Sequence, residues 1–126
     1  MKNSAYKNAY QKTSQLSTDD QSPVEQVSFL YDTLSKQFDL LSKSIESKNA
    51  IERVKINEKI HNIILALSSF WDENPINESV KLLIDTMEEV NRELLYTLIH
   101  INEREDSKKA MELSKGIKNI SSLWSF

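Results

Sequence analysis

Residues Ser22 to Leu34 read SPVEQVSFLYDTL, and the physical demands of that stretch decide the fold class. Ser22 suits an N-cap, Pro23 the first helical position, and Glu25 the place from which a capping-box carboxylate returns to the cap's N–H. Val24 and Val27 then open an apolar stripe that continues through Leu30, Tyr31, Leu34, Phe38, Leu41 and Ile45. Steps of three and four keep these side chains on one helix face for about six turns. The short segment Ser47-Lys48-Asn49 follows, and a connection of that length predicts an antiparallel neighbour.

Working outward, a second helix is expected from about Ala50 to Trp71, with its face at Ile56, Ile60, Ile63, Ile64, Leu67 and Trp71. Pro75 biases Asn74 away from the helical region and ends it. Asn77, Glu78 and Ser79 suit the first turn of a third helix, striped by Val80, Leu83, Met87, Val90, Leu94, Leu98 and Ile101. A fourth begins between Asn102 and Ser107 and ends by Trp124, carried by Leu113, Ile117, Ile120 and Trp124. The expected fold is all-α, an antiparallel up-down four-helix bundle with an N-terminal arm. The fourth helix has a narrow stripe bordered by Ser114, Lys115, Lys118 and Ser121, which predicts a place at the bundle's edge.

Composition agrees with that outline. At 126 residues the chain has the length of one domain. One Gly and two Pro leave almost none of the punctuation that hairpins need. The formal charge of −3 argues against a nucleic-acid partner, which calls for a basic face. The absence of Cys excludes disulfides, thiolate metal sites and thiol catalysis. MKNSAYKNAYQ has no apolar core of signal-peptide length, and no apolar run nears the roughly 18 residues of a membrane span. A soluble, cytoplasmic protein without membrane insertion is expected.

Residues 1–21 form the expected arm and 22–126 the bundle domain. The arm has only Ala5, Tyr6, Ala9, Tyr10 and Leu16 to bury, a composition that cannot hold itself folded. Its alternative is a docked turn: Tyr6 and Tyr10 are four residues apart, so one helical turn sets both rings on one side. Helix three also carries more apolar surface than its core stripe requires. Ile84, Leu95 and Ile99 lie off that stripe, and Leu95 and Ile99 form a second ridge. A central helix touching two neighbours needs a wide face; a ridge left uncovered would be a partner groove.

Catalytic chemistry finds little support. Glu58-Lys59-Ile60-His61 is a single E-x-x-H, but di-iron bundles need a second copy and two more inward carboxylates. His100 has Thr97 three residues before it, so the second copy is missing and no metal site is expected. As phosphotransfer sites both His are poor, with Asn62-Ile63-Ile64-Leu65 after one and Glu103 and Glu105 near the other. One Gly builds no phosphate loop. Neither an enzyme nor a cofactor is expected.

Several short motifs in order then resemble the FliS family of flagellar export chaperones. They are Asn8-Ala9-Tyr10-Gln11, Ser22-Pro23-Val24-Glu25-Gln26, Leu30-Tyr31-Asp32, Ala66-Leu67 before Trp71-Asp72-Glu73, and the late Ser122-Leu123-Trp124. The chain departs from the family pattern at Thr33, at Asn74-Pro75-Ile76-Asn77 and at Ile84-Asp85, which leaves open a paralogue with a different client. The resemblance implies a helical bundle that masks the C-terminal segment of flagellin, with other flagellar export proteins as further partners. The competing reading is a self-associating structural bundle. The implied contact surface takes Tyr6, Tyr10, Tyr31 and Asp32 from the matching motifs. Ile60, Ile64, Leu95 and Ile99 join it as surplus apolar surface.

The resemblance also implies that the arm covers part of the groove in the free protein. Tyr10→Ala is therefore expected to leave helicity intact while changing apolar-dye binding or client affinity. If neither moves, Tyr10 has no capping role.

Overall fold

The computed structural model describes residues 22–72 and 78–124. Four helices follow in chain order: α1 (Pro23–Glu46), α2 (Ala50–Ser69), α3 (Glu78–Arg104) and α4 (Ser107–Leu123). A 3₁₀ turn, Phe70–Asp72, tightens the end of α2. The first helix starts where the capping residues place it. The Ser22 hydroxyl oxygen accepts from the Glu25 N–H at 3.2 Å. The Glu25 carboxylate accepts from that same hydroxyl at 3.1 Å, a variation on the expected return to the cap's backbone. Asn49 caps α2 and Asp106 caps α4 in the same way, each accepting from the N–H three residues on. Lys48 and Glu105, in the two short connections, take φ of 56° and 51° to turn the chain. The expected helix-three start at Asn77 lies outside the described residues.

The core fills as the stripes dictate. Leu30, Leu34, Phe38 and Leu41 of α1 pack with Ile56, Ile60, Ile63, Ile64 and Leu67 of α2, and with Met87, Leu94, Leu98 and Ile101 of α3. At one end Trp71 stacks on Trp124 with ring centroids 5.9 Å apart, and Phe70 meets Trp71 edge-on at 4.8 Å. The up-down order is as expected, with neighbouring helices antiparallel.

The position of α4 differs from expectation. It is not an edge helix but the most intimately packed partner of α1. Serines at seven-residue spacing on the two helices explain this: Ser28, Ser35 and Ser42 face Ser121, Ser114 and Ser107 in one constant antiparallel register. The Ser35 hydroxyl donates to the Ser114 carbonyl at 2.6 Å, and the Ser114 hydroxyl returns to the Ser35 carbonyl at 2.7 Å. Ser28 and Ser121 repeat the exchange at 3.1 Å each way, and Ser42 donates to the Ser107 carbonyl at 2.8 Å. Such a hydroxyl reaches the opposite main chain only when the backbones approach toward the short end of the ~8–10 Å range of helix pairs. A narrow apolar stripe therefore reflects close packing through small side chains, not a peripheral place.

Two substitutions at one position separate spacing from hydrogen bonding. Ser114→Ala keeps the volume and loses one hydroxyl, so it should cost about 1 kcal/mol in urea unfolding. Ser114→Leu forces the helices apart and should cost roughly 1–3 kcal/mol for overpacking in addition. Equal losses would mean that the close approach contributes nothing.

Candidate functional site

Most of the exposed large apolar side chains among the described residues lie on α2 and α3, with Leu40 on α1 and Leu123 on α4 standing singly. On α3 the inward face is Ile84, Met87, Asn91, Leu94, Leu98 and Ile101, all buried. Leu95 lies on the flank, half-buried against the core. One further step round, Ile99 is 54% exposed and Tyr96 is 63% exposed. Leu95 and Ile99 are one turn apart, and Tyr96 lies three residues before Ile99, so the three make a continuous apolar strip.

A polar clamp fixes how this strip sits beside α2. Asn57 and Asn102 exchange amide hydrogen bonds of 2.8 and 2.9 Å, and Arg53 Nε donates to the Asn102 side-chain oxygen at 3.1 Å. Arg53 also donates to the Asn102 carbonyl and, through Nη1, to Glu105 at 3.2 Å. The guanidinium thus occupies a carbonyl that the end of α3 leaves without a helical donor. From that pairing the antiparallel register brings His61 level with Leu98 and Leu65 level with Leu94.

The sequence-derived contact residues divide three ways. Leu95 and Ile99 come together on the strip, joined by Tyr96, which periodicity alone assigned to no role. Ile60 and Ile64 are fully buried in the core, so a partner cannot touch them without opening it. Ile84 is likewise core. Tyr31 is fully buried too; its hydroxyl donates to Asn91 Oδ1 at 2.8 Å, and burial pushes its pKa well above the usual phenol range. Tyr31 therefore ties α1 to α3 from inside. Asp32 is half-buried at the surface of α1 and already engaged: Lys118 of α4 donates to one carboxylate oxygen and Lys36 approaches the other at 3.2 Å. The Lys118 hydrogen bond, aided by Lys36, holds its carboxyl below the ordinary carboxylate range. Tyr6 and Tyr10 lie outside the described residues.

A cleft of about 370 Å³ runs between α1 and α2. Its walls are Gln37, Leu40 and Ile56 with the charged side chains of Glu52, Lys55, Glu58 and Lys59. The opposed charges along one wall suit water better than an apolar segment. Among the described residues no His, Asp or Glu cluster could hold a metal ion, and no helix is long and apolar enough to cross a membrane.

A family model described as "Flagellar protein FliS" matches residues 6–126, nearly the whole chain. No curated protein and no solved structure matches it.

Tyr31→Phe removes the hydroxyl that donates to Asn91 and leaves a buried amide oxygen short of that donor. It should lower stability by about 1–3 kcal/mol, measured by urea unfolding, while leaving surface binding unchanged. Asp32 has its folded pKa below its unfolded value, so its pairing stabilises above the ordinary carboxylate range. That contribution is lost as pH falls through the folded value. Asp32→Asn should accordingly flatten the acid limb of the stability–pH curve.

Proposed function

Because the chain belongs to the FliS family of flagellar export chaperones, we propose that it binds the disordered C-terminal segment of flagellin in the cytoplasm and prevents its polymerisation before export. The observation that carries this reading is the Leu95–Tyr96–Ile99 strip, an apolar ridge on a helix that is otherwise built for the core. A segment disordered when free must gain enough apolar burial to offset its ordering entropy. An open ridge accepts an amphipathic client helix at its i, i+3 and i+4 positions, whereas an enclosed pocket would not. The strip is also small. Modest burial gives an affinity that still permits release at the export machinery. In the same proposal the 1–21 arm covers this surface in the client-free state, with Tyr6 and Tyr10 as its apolar contacts, and 22–126 is the chaperone domain.

Family membership supports the chaperone role, and the α3 strip supports the choice of contact surface. The test is calorimetric titration of the full chain with a peptide of the C-terminal segment of flagellin. The double substitution Tyr96→Asp, Ile99→Asp should leave the helical signal unchanged and weaken binding at least about tenfold. Burying one large apolar side chain is worth roughly 1.5–3 kcal/mol, and about 1.4 kcal/mol is a factor of ten. Binding by the parent chain that ignores both substitutions would move the client elsewhere. No binding by the parent chain would remove flagellin as client.

A further inference from the structure

A second apolar face remains on α2, pointing away from the core. Its core side is Ile56, Ile60, Ile63, Ile64 and Leu67. Opposite that side lie Ile51, Val54, Glu58, His61, Leu65 and Ser68, all exposed, at successive steps of three and four. At 100° per residue the six fall within one third of the helix circumference, the pattern of a coiled-coil seam. Ile51 is 73% exposed, Val54 67% and Leu65 42%. Ile and Val are weak helix formers, and in these exposed positions neither gains from burial within the chain. Among the described residues, neither Glu58 nor His61 enters an ion pair.

We propose that this face is a self-association surface, on which α2 pairs antiparallel with α2 of a second copy of the chain. The order of the six residues carries the argument. Antiparallel seams set each a-type position against a d-type position of the other helix. With the two-fold axis between Lys59 and Ile60, Val54 meets the partner's Leu65 and Leu65 meets the partner's Val54. Ile51 lies on the partner's Ser68, whose hydroxyl is already turned back to the Ile64 carbonyl at 2.9 Å. At the centre Glu58 meets the partner's His61, and His61 meets the partner's Glu58. One register thus forms two apolar layers and two polar layers, with an Ile–Ser layer at each end. Beside the seam Lys55 comes next to the partner's Asn62, so like charges do not meet there. A parallel pairing would set Glu58 against the partner's Glu58 and His61 against the partner's His61. The sequence therefore favours one orientation, as interface charges do when they specify a partner.

The seam spans about 25 Å at the α-helical rise. A single helix pair of that length falls at the low end of specific interfaces, below about 1,200 Å² in total. The association is accordingly weak and reversible. It uses the outermost face of α2 and does not depend on the flagellin reading of the α3 strip.

Sedimentation equilibrium of the full chain over a wide concentration range measures this directly. The parent chain should show a monomer–dimer equilibrium. Leu65→Glu should abolish it, and circular dichroism should show unchanged helicity, because the side chain is exposed. His61→Glu sets carboxylates against carboxylates and should weaken the dimer on the order of tenfold. The exchange Glu58→His with His61→Glu re-creates both pairs with roles reversed and should restore it. Rescue by that exchange is specific to the antiparallel register. A chain monomeric at every concentration would overturn the proposal. So would a dimer indifferent to Leu65→Glu, or a His61→Glu defect that the exchange does not repair. If the parent stays monomeric and Leu65→Glu instead weakens the flagellin peptide, the face belongs to a client rather than to a second copy.

Discussion

The structure depends on the closeness of α1 and α4. Five hydroxyl-to-carbonyl bonds cross between them, from Ser28, Ser35 and Ser42 on one side and Ser114 and Ser121 on the other. Each is worth only about 1 kcal/mol net, because water would otherwise satisfy the same hydroxyl. Their larger consequence is geometric. The carbonyls they reach are helical acceptors with a second lone pair to offer, so the bonds form without breaking either helix. Any residue larger than Ser on this seam would hold the backbones apart. The Lys118–Asp32 and Lys36–Asp32 pairs then cover the seam's outer edge.

With α4 drawn onto α1, the large side chains are left for the other half of the bundle. Phe38, Leu34 and Leu41 reach across to α2 and α3, and one buried hydrogen bond, Tyr31 to Asn91, fixes α3 against α1. The far end of α3 is held by Arg53 and the paired Asn57 and Asn102 amides. These polar contacts set the register of α2 and α3, and so decide which apolar residues finish inside and which outside. Leu98 goes in and Ile99 stays out. A FliS-family chaperone needs such a division, because a surface that binds an unfolded client must be apolar without being part of the core.

Much of this was legible in the residues. Ser22-Pro23 with Glu25 marked the start of α1, and the three-four stripes located all four helices and most of the core. The placement of α4 was not legible from hydropathy, since a serine seam looks like a polar surface. The signal was present as serine every seventh residue on both helices, and it becomes meaningful only when the two are laid antiparallel. Ile60 and Ile64 show the opposite difficulty. Periodicity assigns them to a helix face but cannot say whether a face is covered by the next helix or left open. Tyr96 and Leu65 lie inside apolar runs, Leu94 to Ile99 and Ile63 to Leu67, that read as core, while Ile51 and Val54 stand beside Glu52, Arg53 and Lys55; only fractional exposure joins them into surfaces. Family resemblance pointed to Tyr31 and Asp32, which the structure uses internally.

The claim on which the rest turns is that α1 and α4 form a rigid half while the outer face of α3 receives the client. Amide hydrogen exchange of the full chain, with and without the C-terminal segment of flagellin, tests it most directly. The account predicts slowed exchange along α3 around Leu95 to Ile99 on adding the segment. Protection of the α1 and α4 amides around Ser35 and Ser114 should stay high and unchanged. Faster exchange in α1 or α4 on binding, or no slowing on α3, would contradict it. Either result would mean that the bundle rearranges to take its client or takes it on another face.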